Sequence, residues 1–359
     1  MNSGKSNIMK RMILSLMAVL LVVSAAAQSR KQVRQYYYWI NQAELAICDS
    51  NYESANECYD KAFHIQYPFP KDLLSAYSLN LKITKDFDRI QKYAKQLVEC
   101  GDYELSKRYA RNGEVDTQIY SQLQYIESNY HSLCDTSLQK YFERIIQKDQ
   151  SYSHSWGMSS LSEDSMNRSV MLDIETIFEK YKKINTQTAG LHYQAYLYTP
   201  AIHYIHTGNH DFQNFIKKHT LNGCICADVY MELEDEYLWW TEVTTTQDVP
   251  QDPNGYGQGQ YYFNEFGGTI FITYPVDVKL VNKHRKKLGI SETFEDLVKK
   301  ISWEYTHNIL RWHSITISHY GDEEDDDAEA AKMKREIDAE HAAGDFHRMY
   351  YEKGSKASK

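Results

Sequence analysis

The segment WINQAELAICDSNYESANECYDKAF, residues 39–63, sets small residues between aromatic ones. Helices that carry small side chains at their contact can approach each other closely, and large side chains then fill the space beside the crossing. The pattern predicts two packed helices over residues 36–49 and 53–65, with Ala43 and Ala55 at the crossing. We therefore expect a helical hairpin in the N-terminal part of the chain.

This hairpin resembles a tetratricopeptide repeat, a family with a period of about 34 residues. The signature places are occupied by Trp39, Ala43, Tyr52, Ala55, Tyr59 and Ala62. Pro68 and Pro70 then end the second helix, because proline lacks the amide donor and clashes with the preceding turn. A second unit follows, in which Phe87, Ile90, Ala94 and Leu97 take the corresponding places.

Two such units bury their apolar faces poorly by themselves. They either dock on the rest of this chain or present a groove to a partner, and the sequence favours neither. In the second case Asn41 and Asn56 are the predicted groove-facing residues, and the partner is an unknown envelope protein or peptide.

Residues 1–27 have the features of a secretory signal peptide. Lys10 and Arg11 precede an apolar run over residues 12–23, and Ala25-Ala26-Ala27 offers a cleavage site. The apolar run is too short for an ordinary membrane span, which disfavours the alternative of an uncleaved anchor. We expect an exported protein, periplasmic or secreted, with no stable membrane insertion after cleavage.

The composition argues against nucleic-acid binding, which depends on clustered lysine and arginine. The chain has 49 acidic and 40 basic residues, and the three basic residues of the signal segment would be removed with it. Export permits disulfides among the six cysteines, although their spacing does not fix a pairing. Cys224-Ile225-Cys226 is too sparse for a zinc site. No cofactor is predicted.

The C-terminal half predicts a helical module with a small β-hairpin over residues 261–274, turning at Gly267-Gly268. The predicted helices cover residues 138–150, 173–183, 193–206, 211–219, 228–240 and 276–287, with a further helix opening at Ser291. A polar loop over residues 151–165 is predicted between the first two. The predicted fold class is mostly α: N-terminal tetratricopeptide-like hairpins, then this module. The predicted domains are a signal peptide (1–27), hairpins (28–135), the helical module (136–320), and an acidic linker with a tail helix (321–359).

Residues 138–297 resemble an uncharacterised bacterial domain family of unknown function. The resemblance rests on landmarks, namely Asp149-Gln150, Asp173, His203, Tyr256-Gly257-Gln258 and the run from Val281 to Gly289. It implies a mostly helical fold and no known activity. After the module, the acidic run from Asp322 to Asp327 predicts a solvated linker, followed by a short helix over residues 328–343 in a mobile tail.

The chain offers few candidates for chemistry, and we predict no catalytic residue. In HYIHTGNH, His203 and His206 share a helical face, but Gly208 is expected to end the helix before His210, which favours packing histidines over a metal site. Neither a nucleophile elbow nor a phosphate-binding glycine loop is present.

One polar group remains a candidate ligand site, consisting of Asp149, Gln150, Asp173, His203 and Arg285. Arg285 would need a carboxylate if it were buried, and Asp149 or Asp173 is the predicted partner. The group is then either a structural network or a site that holds an anionic ligand through the guanidinium. The second alternative would make the protein an enzyme or a small-ligand receptor.

Overall fold

A computed structural model describes ten segments of the chain of 359 residues: 30–111, 116–153, 160–181, 183–246, 255–256, 263–266, 269–272, 277–307, 326–342 and 349–352. The expected signal peptide and the turn at Gly267-Gly268 lie outside the described residues. So do the first four acids of the run from Asp322 to Asp327.

The first part of the described chain consists of helices arranged in consecutive hairpins. They are α1 (30–48), α2 (Tyr52–Ile65), α3 (Pro70–Ser78) with a π-helical extension (Leu79–Thr84), α4 (Phe87–Glu99), α5 (Leu105–Arg111) and α6 (Thr117–Asn129). The predicted α1–α2 hairpin is confirmed, and the side chain of Asn51 caps α2 by accepting a hydrogen bond from the amide of Ser54.

The α5–α6 pair extends this array beyond the two units that the sequence pattern indicates. Helix α4 packs against both α3 and α6, and α5 packs against α6. The small residues Ala43, Ala55 and Ala94 are all fully buried. The helices therefore form a continuous layer in which the small positions are enclosed.

The second part is also mainly helical, and the mostly α class is confirmed. Its helices are α7 (Thr136–Ser153), α8 (Ser160–Lys180), α9 (Thr186–Ala189), α10 (Tyr193–His206), α11 (Gln213–Leu221), α12 (Ala227–Thr246), α13 (Val278–Leu288), α14 (Phe294–His307) and α15 (Asp326–Ala342). Helix α10 packs against α7, α8 and α12.

Helix α8 begins earlier than predicted. The sequence predicts a polar loop over residues 151–165, whereas the helix starts at Ser160. The buried face of α8 includes Asn167, Val170 and Ile174. A polar beginning does not interrupt a helix whose apolar positions start a turn or two later, so the loop prediction was wrong over residues 160–165. It was also wrong over residues 151–153, where α7 continues.

The predicted β-hairpin is confirmed by β1 (Phe263–Phe266) and β2 (Thr269–Ile272), which pair antiparallel. A third strand, β3 (Met349–Glu352), pairs antiparallel with β2. Helix α15 packs beside this sheet, where Met333 and Ile337 form a small apolar cluster with Phe271. The tail helix is therefore docked, and the prediction of a mobile tail was wrong for α15 and β3.

A single large apolar cluster extends through both halves of the chain. It begins at Val33 on α1, passes the predicted boundary at residues 135 and 136, and includes Trp303 on α14. Helix α1 is central to it: the hydroxyl of Tyr36 donates to Asp72 on α3 (2.5 Å), and the hydroxyl of Tyr37 accepts from the amide of Ala227 on α12 (2.8 Å). The first hairpin thus docks on the rest of the chain.

Candidate functional site

Asp149 and His203 form the centre of one candidate site. Asp149, near the end of α7, is 1% exposed, and its two carboxylate oxygens lie 2.9 and 3.0 Å from Nδ1 of His203 on α10. Nε2 of Gln150 donates to the same carboxylate at 2.9 Å. Packing of α7 on α10 fixes this geometry. The His203 side chain is 32% exposed, so the dyad connects a buried carboxylate to the protein surface.

This arrangement orients an imidazole. An ionised carboxylate only accepts hydrogen bonds, so Nδ1 of His203 donates to Asp149, and the proton of a neutral ring is held on that nitrogen. Such a dyad is the geometry that positions a histidine for proton transfer or for binding a polar ligand. The sequence predicted that Asp149, Gln150 and His203 lie close together, and in the structure they do.

The other two predicted members of the cluster lie elsewhere. Asp173 on α8 is exposed and pairs with Lys148 at 2.6 Å. Arg285 on α13 is fully buried, and its Nη1 donates to Glu292 at 2.5 Å while its Nε donates to the carbonyl of Tyr256 at 2.8 Å. The prediction that Asp149 or Asp173 meets Arg285 was wrong.

The physical reason is a chain reversal after α13. Gly289 adopts a left-handed conformation (φ of 93°), which ends the helix and returns Glu292 to Arg285. Asp149 meanwhile receives its hydrogen bonds from Gln150 and His203. The two polar groups are therefore satisfied separately.

Arg285 belongs to a buried ionic network that also includes Glu292, Lys300 and Glu44. The ammonium of Lys300 lies 2.5 Å from Glu44 Oε2 on α1 and 2.6 Å from Glu292 Oε1. Burial by itself would lower the pKa of Lys300, but the two carboxylates outweigh burial and raise that pKa above its ordinary value. The network joins α1 to α14 and is structural.

The three histidines of the HYIHTGNH segment do not converge. Nδ1 of His203 faces Asp149, Nε2 of His206 lies 2.9 Å from Glu236, and Nε2 of His210 lies 3.3 Å from Glu234 without the geometry of a hydrogen bond. As predicted, α10 ends before His210. Within the described segments, no group of His, Cys, Asp or Glu has the arrangement of a metal site.

The predicted groove residues Asn41 and Asn56 are both buried. Nδ2 of Asn41 donates to Asp296 on α14 (2.9 Å), and Asn56 exchanges two hydrogen bonds with Asn80 (3.0 and 2.9 Å). The prediction that these residues face an open groove was wrong. The rest of the chain covers the first hairpin, and the Asn56 amide is used between α2 and the π-helical segment.

An open cleft lies instead between α4 and α6, and we call it the α4–α6 cleft. It has a volume of about 280 Å³. The lining residues are Asp88, Gln91, Lys92, Lys95, Gln122, Tyr125, Ile126 and Tyr130. Helix α4 supplies the lysines, while α6 and the residue after it supply the tyrosines.

The cleft combines cations with exposed aromatic surface. Lys92 pairs with Asp60 at 2.6 Å, and Lys95 lies 3.8 Å from Glu99 and 4.4 Å from the ring centre of Tyr130. Tyr125 is 58% exposed, although it stands on a helix whose opposite face is apolar. A tyrosine on the polar face of an amphipathic helix is the one sequence signal that could have indicated this surface.

Comparisons of the chain with protein-family models, with curated proteins and with solved structures find no match. No helix of the described residues has the length and apolar character that crossing a membrane requires.

Proposed function

We propose that this chain is an exported envelope protein that binds a peptide segment of another protein in the α4–α6 cleft. The observation that carries the proposal is the cleft itself, an open site with two lysines and two tyrosines on a packed helical scaffold. Export is supported by the signal-like pattern of residues 1–27.

The lining of the cleft favours a ligand with an acidic group beside an apolar one. Lys92 and Lys95 are three residues apart, so both point to the same side of α4. Lys95 meets its intrahelical partner Glu99 only at 3.8 Å, which leaves its ammonium available to a carboxylate of the ligand. The rings of Tyr125 and Tyr130 offer apolar faces with polar tips, a combination enriched at binding surfaces.

The scaffold under the cleft is rigid enough to hold these groups in place. Ile90, Ala94 and Leu97 of α4 are buried, as are Leu123 and Ile126 of α6. A preformed site loses little conformational entropy when a ligand binds. The cleft therefore suits recognition of a short segment without rearrangement of the helices.

Site-specific crosslinking tests the proposal. A photoreactive phenylalanine analogue is placed at Tyr125, and in a matched control at Tyr103, which is 47% exposed and does not line the cleft. Crosslinking in native envelope extract should give a discrete product from position 125 alone, and mass spectrometry then identifies the attached peptide. Equal products from both positions would contradict the proposal.

A titration with the identified peptide gives the second test. We expect Lys95→Ala and Tyr125→Ala to weaken binding by roughly tenfold each, as truncation of interface contacts does. Lys107→Ala and Tyr103→Ala are the controls, because both residues are exposed and lie outside the cleft. Unchanged affinity in both cleft variants would exclude this site.

A second candidate function rests on the Asp149–His203 dyad, which would make the C-terminal half an enzyme or a receptor for a small polar ligand. The supporting observation is a buried carboxylate that orients a partly exposed imidazole. A thermal-shift screen with small carboxylates and phosphates tests it. A ligand that raises Tm in the wild type and in Asp173→Asn, but not in His203→Gln, would support the dyad. No shift with any ligand would reject it.

A further inference from the structure

Two cysteines that are distant in sequence meet in the structure. Cys100 is the residue that follows α4, and Cys134 lies in the connection between α6 and α7. Both are buried, and the hydroxyl of Tyr67 lies 3.2 Å from Sγ of Cys100. A Cβ placed on Gly190 would lie 3.6 Å from the carbonyl oxygen of Cys100 and 3.8 Å from Sγ of Cys134, so both cysteines lie close to the same backbone position.

The backbone holds the two cysteines in this position. The carbonyl oxygen of Glu99, next to Cys100, accepts from the amide of Leu133 (2.6 Å), from Oγ of Ser132 (3.3 Å) and from Sγ of Cys134 (3.8 Å). Three consecutive residues are thus attached to the end of α4. The backbone, and not side-chain rotation alone, therefore brings Cys100 and Cys134 close together.

The two thiols differ in their readiness to react. The neighbouring Cys100 lowers the pKa of Cys134, while Cys134 and burial raise the pKa of Cys100. Elsewhere burial dominates and raises the pKa of Cys48 to about 12. Since the thiolate is the reactive form, the lowered pKa of Cys134 favours this residue as the nucleophile of the pair.

We propose that Cys100 and Cys134 are a disulfide-forming pair that is oxidised by exchange with a disulfide-bonded donor. The thiolate of Cys134 attacks one sulfur of the donor, and the other donor sulfur leaves as a thiolate. Cys100 then loses its proton to that thiolate and attacks Sγ of Cys134, which releases the second donor sulfur. Two protein thiols are oxidised to one disulfide, and the donor disulfide is reduced to two thiols.

The bond would join the hairpins covalently to the second half of the chain. Beyond Cys134, the amide of Asp135 donates to the carbonyl of Thr188 at 2.9 Å, just before Gly190. A link from Cys100 to Cys134 therefore fixes the end of α4 to the start of α7 and to α9. The bond would therefore constrain one side of the helical scaffold that forms the α4–α6 cleft.

Peptide mapping tests the proposal. The purified full chain is incubated with oxidised glutathione under native conditions, alkylated with iodoacetamide and digested with trypsin. Cleavage after lysine and arginine places Cys100 in the peptide 96–107 and Cys134 in the peptide 112–140, each with a single cysteine. We expect these two peptides joined, with a mass equal to their sum less two hydrogens. Recovery of both in the alkylated form would overturn the proposal.

Three controls make the result specific. Cys134→Ser should abolish the linked species, whereas Cys58→Ser, which alters another buried cysteine, should leave it unchanged. Oxidation in concentrated urea should lose the preference for this pair, because the preference derives from the fold. Circular dichroism checks that each variant is folded. Links from Cys100 or Cys134 to other cysteines under native conditions would also overturn the proposal.

Discussion

The first hairpin and the α4–α6 cleft are built from similar amphipathic helices, yet they meet different surroundings. Asn41 on α1 is 4% exposed and bonds to α14, whereas Tyr125 on α6 is 58% exposed and lines an open cleft. One end of the array has become part of the core of the second half, and the other end keeps a free face. A position on an amphipathic helical hairpin therefore does not determine whether its side chain is exposed to a partner.

The largest effect on stability is expected at the buried ionic network that connects α1 to α14. We expect Lys300→Met to lower the free energy of unfolding by about 3–5 kcal/mol, because it leaves the carboxylate of Glu44 buried without its cation and leaves Glu292 with Arg285 alone. Denaturation with urea measures the change. The loss would show that docking of α1 on α14 depends on charge pairing within the core.

Lys299→Met is the matched control for this prediction. The neighbouring lysine is 45% exposed in its side chain and pairs with the exposed Asp49. Exposed ion pairs contribute about 1 kcal/mol or less. Equal losses in the two variants would mean that burial of the Lys300 network does not stabilise the docked hairpin.

The next effect is on the pH dependence of stability. It concerns Asp72, which accepts a hydrogen bond from Tyr36 of α1. Burial raises the pKa of Asp72 to about 7, against an ordinary value of 3.8. Between these two values the folded chain retains a proton that the unfolded chain has lost, so stability falls as pH rises through this window. We expect Asp72→Asn to remove a fall on the order of 4 kcal/mol, measured by urea denaturation at several pH values.

Asp60, beside the cleft, provides a control of opposite sign. Burial alone would raise its pKa, but hydrogen bonds from Lys92 and Arg89 lower it below the ordinary value. Its contribution is therefore present above the unfolded pKa and is lost as pH falls through the lower folded pKa. If Asp60→Asn and Asp72→Asn changed the pH profile in the same direction, the assignment of the two environments would fail.

Much of the helical architecture follows from the sequence. Helix α10 covers Tyr193–His206 as predicted, because its aromatic face is continuous and Gly208 adopts a positive φ after its last turn. The α1–α2 hairpin follows from small residues between aromatic ones. Local rules of this kind are sufficient where neighbouring residues decide the structure.

Contacts between distant segments were the part that the sequence could not supply. The partner of Arg285 is Glu292, and identifying it needs the reversal at Gly289 rather than a count of nearby acids. Asn41 and Asn56 look like surface amides when the hairpin is considered alone. Only the placement of α14 and of Asn80 shows that both are buried.

A substitution at Asn56 tests whether its side-chain amide stabilises the fold or binds a partner. We expect Asn56→Ala to lower the free energy of unfolding by about 1–3 kcal/mol, because it leaves the buried amide of Asn80 without a partner on α2. Thermal and urea denaturation measure the loss. Asn129→Ala, at an exposed position, is the control and should change stability by about 0.5 kcal/mol at most. An unchanged stability in Asn56→Ala would restore the interpretation of this residue as part of a groove.

The smallest effect on stability is expected at Tyr125, in the α4–α6 cleft. Tyr125→Ala removes an exposed ring that no buried group depends on, so the free energy of unfolding should change by about 0.5 kcal/mol or less. Urea denaturation of the samples used for peptide titration measures it directly. A variant that loses binding while keeping its stability would separate recognition from folding. Variants of the buried polar residues of α1 cannot do this, because those residues hold the core together. A large loss of stability would instead place Tyr125 among the structural residues and remove the distinction between the two regions.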